Sequence, residues 1–532
     1  MQIIDNKAIL FVTKKAHQIT SLIPKSKILE SNGELSKVLV HWGLDEVQLL
    51  RNLGIKEVPS PILGKYNWPG VYTPFDHQRT TADFFTQHTR CYNFSEAGTG
   101  KTSAAAWAAD YLITQGKIKR VLIVCPVSIM DTAWRADLFR IAMHRSVAIA
   151  QGTRLQRIAV VKGNYEFVII NFDGVKVVNA ELDAANFDLI IIDEANAVKN
   201  VATDRWKALF ALIKPTTRLW LMTGTPASQS PEDAYGLAKM LNPASVPRFF
   251  GAWRDKVMTK ITQYKWIPRQ DSQDTVFKAL QPAIRFTKDE CLDLPDMLYS
   301  DRDVPLTAQQ NKYYDAIKKQ MMALAAGEEI TAVNAASMLN KLLQISQGVA
   351  YTDTREVVEF DVSNRANELM DVIEQTPHKI IVFVPFRHAM AKVQDELAKR
   401  ASKLQALHAV DGGGYEVDCI HGGVPASQRA EIIKRFQTEN TLRILLLIPQ
   451  AAAHGITLTR ADTVVWWGPV SSAELYLQGN ARAHRAGQKN KVTIVRMQGS
   501  PVEKRMYAML DGKVDSHQTL VDLYKQELED NT

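Results

Sequence analysis

The run Ser95-Glu-Ala-Gly-Thr-Gly-Lys-Thr102 sets two glycines, a lysine and a hydroxyl directly before the helix-forming stretch Ser103-Ala-Ala-Ala-Trp-Ala-Ala109. Glycines let a backbone wrap close to phosphate oxygens, and a following helix offers its unpaired N–H groups and positive dipole end to the same anion. In that arrangement Gly98, Thr99 and Gly100 form the cradle, Lys101 reaches the β- and γ-phosphates, and the Thr102 hydroxyl holds Mg²⁺. The full pattern has glycine where Ser95 stands. A second chemical element is Phe187-Asp-Leu-Ile-Ile-Ile-Asp-Glu-Ala-Asn196, four apolar residues that end in paired acids. A buried strand ending there sets Asp193 at the sheet edge where open α/β folds bind ligands, positioned to orient Mg²⁺ through water. Glu194 then polarises the attacking water. The plainer alternatives are an accidental glycine turn and an acidic helix cap; the two elements together read as an ATPase.

Both elements require strands to carry them. Short apolar runs recur between helical stretches at Val121-Leu-Ile-Val-Cys125, Phe167-Val-Ile-Ile170, Leu189-Ile-Ile-Ile192 and Leu219-Trp-Leu-Met222. Near-continuous hydrophobicity is what a parallel strand covered on both faces needs, so these runs imply a doubly wound lobe. A second set, Ile380-Ile-Val-Phe-Val384, Ile444-Leu-Leu-Leu-Ile448, Thr463-Val-Val-Trp-Trp467 and Val492-Thr-Ile-Val495, implies another. Trp466 and Trp467 finish a core strand here rather than stacking on bases. Between the lobes the chain turns helical and polar, with helices expected over 309–326 and 332–347 and no third sheet. Residues 1–70 read as a small accessory module with a helix near 35–53 and a proline-marked linker at Pro59, Pro61 and Pro69. Two tail helices are expected, 502–510 and 517–528.

Composition agrees with a folded multi-domain chain: 532 residues, 46% apolar, 23% charged, and a net charge of +7 that permits a polyanionic partner without demonstrating one. Cys91, Cys125, Cys291 and Cys419 are far apart, which points to a reducing compartment and to neither a disulfide framework nor a zinc knuckle. No secretory leader and no run of ~18 apolar residues is present, so the expected location is the compartment of synthesis: cytoplasm in a prokaryote or virus, nucleus in a eukaryote.

With these residues in view, the chain resembles the Swi/Snf-type DNA translocases of helicase superfamily two over nearly all of 74–512. Pro74-Phe-Asp-His-Gln78 is similar to the adenine-reading glutamine motif, and Val124-Cys-Pro-Val-Ser128 with Trp134 to motif Ia. Asp193-Glu-Ala-Asn-Ala-Val-Lys-Asn200 resembles the family's Asp-Glu-Ala-His-x-Ile-Lys-Asn, and Leu221-Met-Thr-Gly-Thr-Pro226 its motif III. Arg285-Phe-Thr-Lys288 resembles the segment joining the lobes, Ala453-His-Gly-Ile-Thr-Leu458 motif V, and Gln478-Gly-Asn-Ala-Arg-Ala-His-Arg-Ala-Gly-Gln488 motif VI. Asn196 stands in place of the family's histidine and Pro449-Gln450 with Ala452 in place of a Ser/Thr and glycines near motif V, while His421-Gly-Gly423 and a short inter-lobe region point to a compact, distant branch of the annealing-helicase kind.

The resemblance implies an α/β fold of two RecA-like lobes with a helical inter-lobe region and an N-terminal accessory module. The expected boundaries are 1–70 for the module, 71–245 for the first lobe, 246–360 for the helical linker, 361–500 for the second lobe and 501–532 for the terminal helices. It also implies ATP and Mg²⁺, with Thr102 and Asp193 at the metal and Lys101, Asp193, Glu194, Arg482 and Arg485 catalytic. Gln78, Gly98, Thr99, Gly100, Lys101, Thr102, Gly455 and Gln478 would hold the nucleotide. Arg485 is the preferred arginine finger, because a planar fork matches phosphate oxygens bidentately; catalysis then requires the two lobes to close on the nucleotide. Ser128, Asn171, Lys199 and Asn200 are expected on DNA phosphates, which position without reading sequence. The expected function is ATP-driven translocation on duplex or branched DNA that remodels, reanneals or branch-migrates it. The alternatives are a strand-separating DNA or RNA helicase, or a nucleotide-switched DNA-binding subunit that recruits a nuclease or replication partner. Residues 1–70 are either a substrate-recognition module or a stabilising cap.

Overall fold

The computed structural model describes residues 1–224, 226–227, 230–261, 266–291, 294–327, 332–351, 356–400, 415–452 and 456–512. The expected tail helix 517–528 and the expected nucleotide contact Gly455 lie outside them. The chain divides into two compact units: Met1–Pro226 with Pro231–Val257 and Gln270–Cys291, and Leu292–Thr532 with the short segments Ala227–Ser230 and Met258–Arg269.

The first unit begins with a four-stranded antiparallel sheet in the order Gln2–Ile4, Ala8–Thr13, Leu35–His41, Ser26–Asn32. Ile9, Phe11, Val38 and Val40 face its core together with Ile19, Trp42, Val47 and Leu50. The single helix expected over 35–53 is a strand followed by the helix Leu44–Asn52. Burial alternates residue by residue along Leu35-Ser-Lys-Val-Leu-Val-His41, the period of two that belongs to a strand with one wet face. Asp45 accepts from Lys117 at 2.6 Å and Asp83 from Arg51 at 3.4 Å, which ties this module to the lobe that follows.

That lobe is a seven-stranded parallel sheet, ordered Ala283–Ile284, Arg90–Asn93, Arg218–Met222, Leu189–Asp193, Val121–Cys125, Phe167–Asn171, Val147–Ile149. Val121, Ile123 and Cys125 enter one core with Trp107, Leu112 and Trp134, while Leu122 and Val124 are equally buried on the other face. Full burial of each such side chain is worth about 1.5–3 kcal/mol, so the sheet holds its strand ends firmly. Met222 lies opposite both Asn93 and Asp193, so three neighbouring strands end at one level.

The second unit holds a six-stranded parallel sheet in the order Met297–Asp303, Val492–Gln498, Ala461–Trp466, Lys379–Phe383, Leu442–Leu447, Glu416–Ile420. Alternate residues serve alternate faces. Ile380, Val382, Ile444, Leu446, Val465 and Trp467 join one core, and Ile381, Phe383, Leu445, Leu447, Val464 and Trp466 the other. Trp466 and Trp467 are fully buried, as expected of a core strand.

The region 246–360 is not helical throughout. Besides the helices Ala308–Gly327 and Ala332–Ser346, it supplies Ala283–Ile284 to the first sheet and Met297–Asp303 to the second. The first of these strands is two residues long. The second, Met-Leu-Tyr-Ser-Asp-Arg-Asp, is a mostly exposed edge strand whose polar half carries no apolar run. Among the described residues, no helix is long and apolar enough to cross a membrane.

Candidate functional site

Strand Arg90–Asn93 delivers the chain into the glycine-rich turn, and helix Lys101–Thr114 carries it away. Gly98 and Gly100 adopt φ of +93° and +79°, the left-handed region that a side chain disfavours. Lys101 Nζ donates to the carbonyls of Ser95 at 2.7 Å and Glu96 at 3.1 Å, which holds the ammonium over the turn. Thr102 follows on the first helical turn and is half-buried. Thr99 donates its hydroxyl to the Glu96 carbonyl at 2.9 Å, and its own carbonyl meets His77 Nε2 at 2.8 Å. Gln78 accepts from the Phe75 N–H at 3.0 Å and packs so closely on Gly100 that a methyl there would stand 1.9 Å from its amide nitrogen. The structure therefore brings Gln78, Gly98, Thr99, Gly100, Lys101 and Thr102 to one turn.

Asp193 ends its strand buried, with only 6% of its surface exposed. Burial, reinforced by the neighbouring Glu194 carboxylate, pushes its carboxyl up to about 6. The Lys101 ammonium opposes that rise, as do the Trp134 indole N–H, which donates to Oδ2 at 2.9 Å, and the Glu194 N–H, which donates to Oδ1 at 3.0 Å. Glu194 itself sits at φ +54°, a strained conformation for a non-glycine residue and one that clusters at functional sites. A buried carboxylate held ionised only against the cost of burial, with a hydroxyl at Thr102, is a hard-oxygen donor set suited to Mg²⁺.

The expected DNA contacts occupy different settings. Ser128 is half-buried at the start of a short helical turn, where its carbonyl accepts from the Thr132 hydroxyl at 2.7 Å. Asn171 is 8% exposed and its Oδ1 accepts from Arg157 at 2.9 Å. Lys199 pairs with Asp233 at 2.9 Å. Asn200 is exposed, and its Oδ1 accepts from the Ala202 N–H at 2.9 Å.

In the second unit, helix Ala473–Asn480 leads into the arginines. Gln478 donates to Glu474 Oε1 at 3.1 Å. Arg482 is 7% exposed and donates to the carbonyls of Gln478 at 2.9 Å and Ile456 at 3.2 Å. Arg485 is only half-buried and donates to Thr457 Oγ1 at 2.8 Å. Gln488 closes the turn by donating to the carbonyls of Ala461, Thr459 and Ala483.

Three residues support the site through contacts that the sequence reading did not assign. Trp134 is part of a six-residue π-helix, Met130–Arg135, a rare turn that recurs at functional sites, and it aims its indole at Asp193. Ser95, the departure from glycine, accepts the Phe286 N–H on its hydroxyl at 3.1 Å. Glu96 accepts the Lys288 N–H at 3.1 Å and donates its own N–H to the Phe286 carbonyl at 3.0 Å. The substitution of Ser95 for glycine and the place of Trp134 beside motif Ia were the available signals; no pattern in the sequence announced Glu96.

Comparison with known proteins places these residues in context. The SNF2-related domain matches residues 77–351, and the helicase conserved C-terminal domain matches 364–487. The mouse chromodomain-helicase-DNA-binding protein 1-like is 23% identical over 86% of this chain and 51% of its own length. The SWI/SNF-related matrix-associated actin-dependent regulator of chromatin subfamily A-like protein 1 of Xenopus tropicalis is 26% identical over 75% and 39%. The mouse DNA annealing helicase and endonuclease ZRANB3 is 27% identical over 62% and 30%. The chain thus spans about half or less of the curated relatives it matches. Among solved structures, the Sulfolobus solfataricus SWI2/SNF2 ATPase core in complex with dsDNA aligns with a TM-score of 0.41 at 19% identity, over 87% of this chain and 97% of that one.

Proposed function

Since the chain belongs to the SNF2-related family of superfamily-two ATPases, we propose that it hydrolyses ATP to translocate along double-stranded DNA, remodelling, reannealing or branch-migrating it. The observation that carries this reading is the shared level of Asn93, Met222 and Asp193 across three neighbouring strands. It aligns the exit into the phosphate turn with the exit into the acid pair, about two strand spacings or ~10 Å apart. The relatives named as an annealing helicase and as a regulator of chromatin support DNA as the track.

In this mechanism the turn Gly98–Thr102 binds the phosphates through backbone N–H groups, and Lys101 exchanges its two carbonyl partners for phosphate oxygens. Thr102 and Asp193 would hold Mg²⁺, which would supply charge neutralisation to the triphosphate. Glu194 orients the attacking water. Arg485 donates its guanidinium to the charge that develops on the transferring phosphoryl group, and Arg482 braces the turn that carries it. Ser128, Asn171, Lys199 and Asn200 contact DNA phosphates, so binding is indifferent to sequence and falls steeply with salt.

Displacement of a triplex-forming strand from duplex DNA tests tracking without strand separation. ATP-dependent displacement, without unwinding of a plain forked duplex, is the expected result. Unwinding of the fork with no triplex displacement, or stimulation by RNA above duplex DNA, would contradict the proposal.

A further inference from the structure

Phe249 and Phe250 follow Arg248 at the entrance to the helix Phe250–Val257, and both are exposed, at 68% and 40%. Their backbone is nevertheless pinned. The Tyr235 hydroxyl donates to the carbonyls of Pro247 at 3.2 Å and Arg248 at 2.8 Å, and the Phe249 carbonyl accepts the N–H of the fully buried Trp253 at 3.3 Å. Phe250 stands edge-on to the Tyr235 ring, with centroids 5.5 Å apart. Two adjacent aromatic rings kept in water on a held backbone mark an interaction site.

The charge around the rings selects the partner. The Arg248 guanidinium lies 5.3 Å from the centre of the Phe249 ring, and that of Arg254 lies 6.0 Å from the centre of Phe250. Arg248 and Lys256 are exposed, and neither pairs with a carboxylate among the described residues. Position in the fold points the same way. Tyr235, which anchors the pair, lies between Asp233, the partner of Lys199 at 2.9 Å, and Gly236, where a methyl would stand 1.9 Å from the Lys199 carbonyl. The rings therefore stand one tyrosine away from the Lys199–Asn200 segment assigned above to DNA phosphates. Aromatic faces interleaved with cations, beside a phosphate contact, suit a nucleic-acid strand whose bases are free to stack.

We infer that Phe249, backed by Phe250 and flanked by Arg248 and Lys256, is a stacking site for an unpaired base of a DNA strand, an assignment that rests on the reading of the chain as a DNA translocase. Bases inside a duplex are stacked on their neighbours and offer no free face. The site thus recognises strandedness and not sequence, since every base presents a π-face. It takes no part in phosphoryl transfer, so its loss falls on DNA binding alone.

The test uses the full chain as parent, Phe249→Ala and Phe249→Trp, with binding read by fluorescence anisotropy on a blunt duplex and on the same duplex carrying a single-stranded arm. The arm tightens binding by the parent about tenfold, within the range that base–aromatic stacking supplies, and Phe249→Ala loses that gain. Blunt-duplex affinity and duplex-stimulated ATP turnover stay as in the parent chain. Phe249→Trp keeps the gain, and its added fluorescence is quenched by the armed duplex and not by the blunt one. No gain from the arm in the parent, or equal loss of affinity for both DNAs in Phe249→Ala, overturns the site. A gain that survives in Phe249→Ala overturns it as well and leaves the rings to a protein partner. Failure of the parent chain to bind the blunt duplex overturns the translocase reading on which the site rests, a result separate from these.

Discussion

In the first unit Lys101 hangs from two loop carbonyls and Asp193 is buried under three opposing influences, with Ser95 and Glu96 laced to Phe286 and Lys288. The arginines of the second unit are built differently. Arg482 is sunk into the carbonyls of Gln478 and Ile456, whereas Arg485 is half-open and rests on the Thr457 hydroxyl. The acid and lysine are thus held in place before any ligand arrives, at a cost in burial and strain. Under the proposed mechanism the pair divides its roles: Arg482 secures the turn, and Arg485, which also donates to the Ile456 carbonyl at 3.5 Å, serves the transferring phosphoryl group.

The largest effect that would sharpen this contrast is that of Lys101→Ala, which should lower ATP turnover by about a thousandfold or more, measured at saturating ATP and duplex DNA. Because the Lys101 ammonium also offsets the burial of the Asp193 carboxylate, the variant should in addition lose some stability in urea unfolding at pH 8. Next come the arginines. Arg485→Ala and Arg482→Ala should each cost about 10²–10³-fold in kcat, but only Arg482→Ala should also lose stability, on the order of 1–3 kcal/mol, because it strips donors from buried carbonyls. Equal destabilisation by the two in urea unfolding would break the division of roles.

Asp193→Asn tests the cost of the buried acid. The folded state raises this carboxyl from 3.8 to about 6, so it binds the proton more tightly than the unfolded chain does. Its contribution to stability therefore declines as pH rises from about 4 to 6, and the penalty is complete above that, on the order of 2–3 kcal/mol. In metal-free and nucleotide-free urea unfolding, Asp193→Asn should be inactive yet more stable than the parent at pH 8, with the gain vanishing near pH 4. A gain that does not change with pH would refute the origin assigned to it. The smallest effect is expected for Gly100→Ala, which must displace Gln78 and hold a side chain at φ +79°, for a loss of about 1–2 kcal/mol in thermal unfolding.

How far the sequence reached depended on how many residues shared a signal. The strands Val121–Cys125, Phe167–Asn171 and Leu189–Asp193 were legible because both faces are buried and their apolar runs are unbroken. Arg90–Asn93, which carries the phosphate turn, was not, since Arg90 and Asn93 interrupt its four residues. Met297–Asp303 was hidden by its polar half, and Leu35–His41 was merged with the helix after it. At the site, glycines and paired acids announce themselves by type and spacing. The Trp134 indole on Asp193 and the Ser95 hydroxyl under Phe286 are contacts across 59 and 191 positions, and no local pattern encodes them.

ATP turnover measured side by side with duplex DNA, single-stranded DNA and RNA, in the parent chain and in Arg485→Ala, bears most directly on the claim that the arginine completes a DNA-driven ATPase. The account predicts strong stimulation by duplex in the parent and near-background turnover in the variant on every nucleic acid. Duplex-stimulated turnover that survives the loss of Arg485 would contradict it.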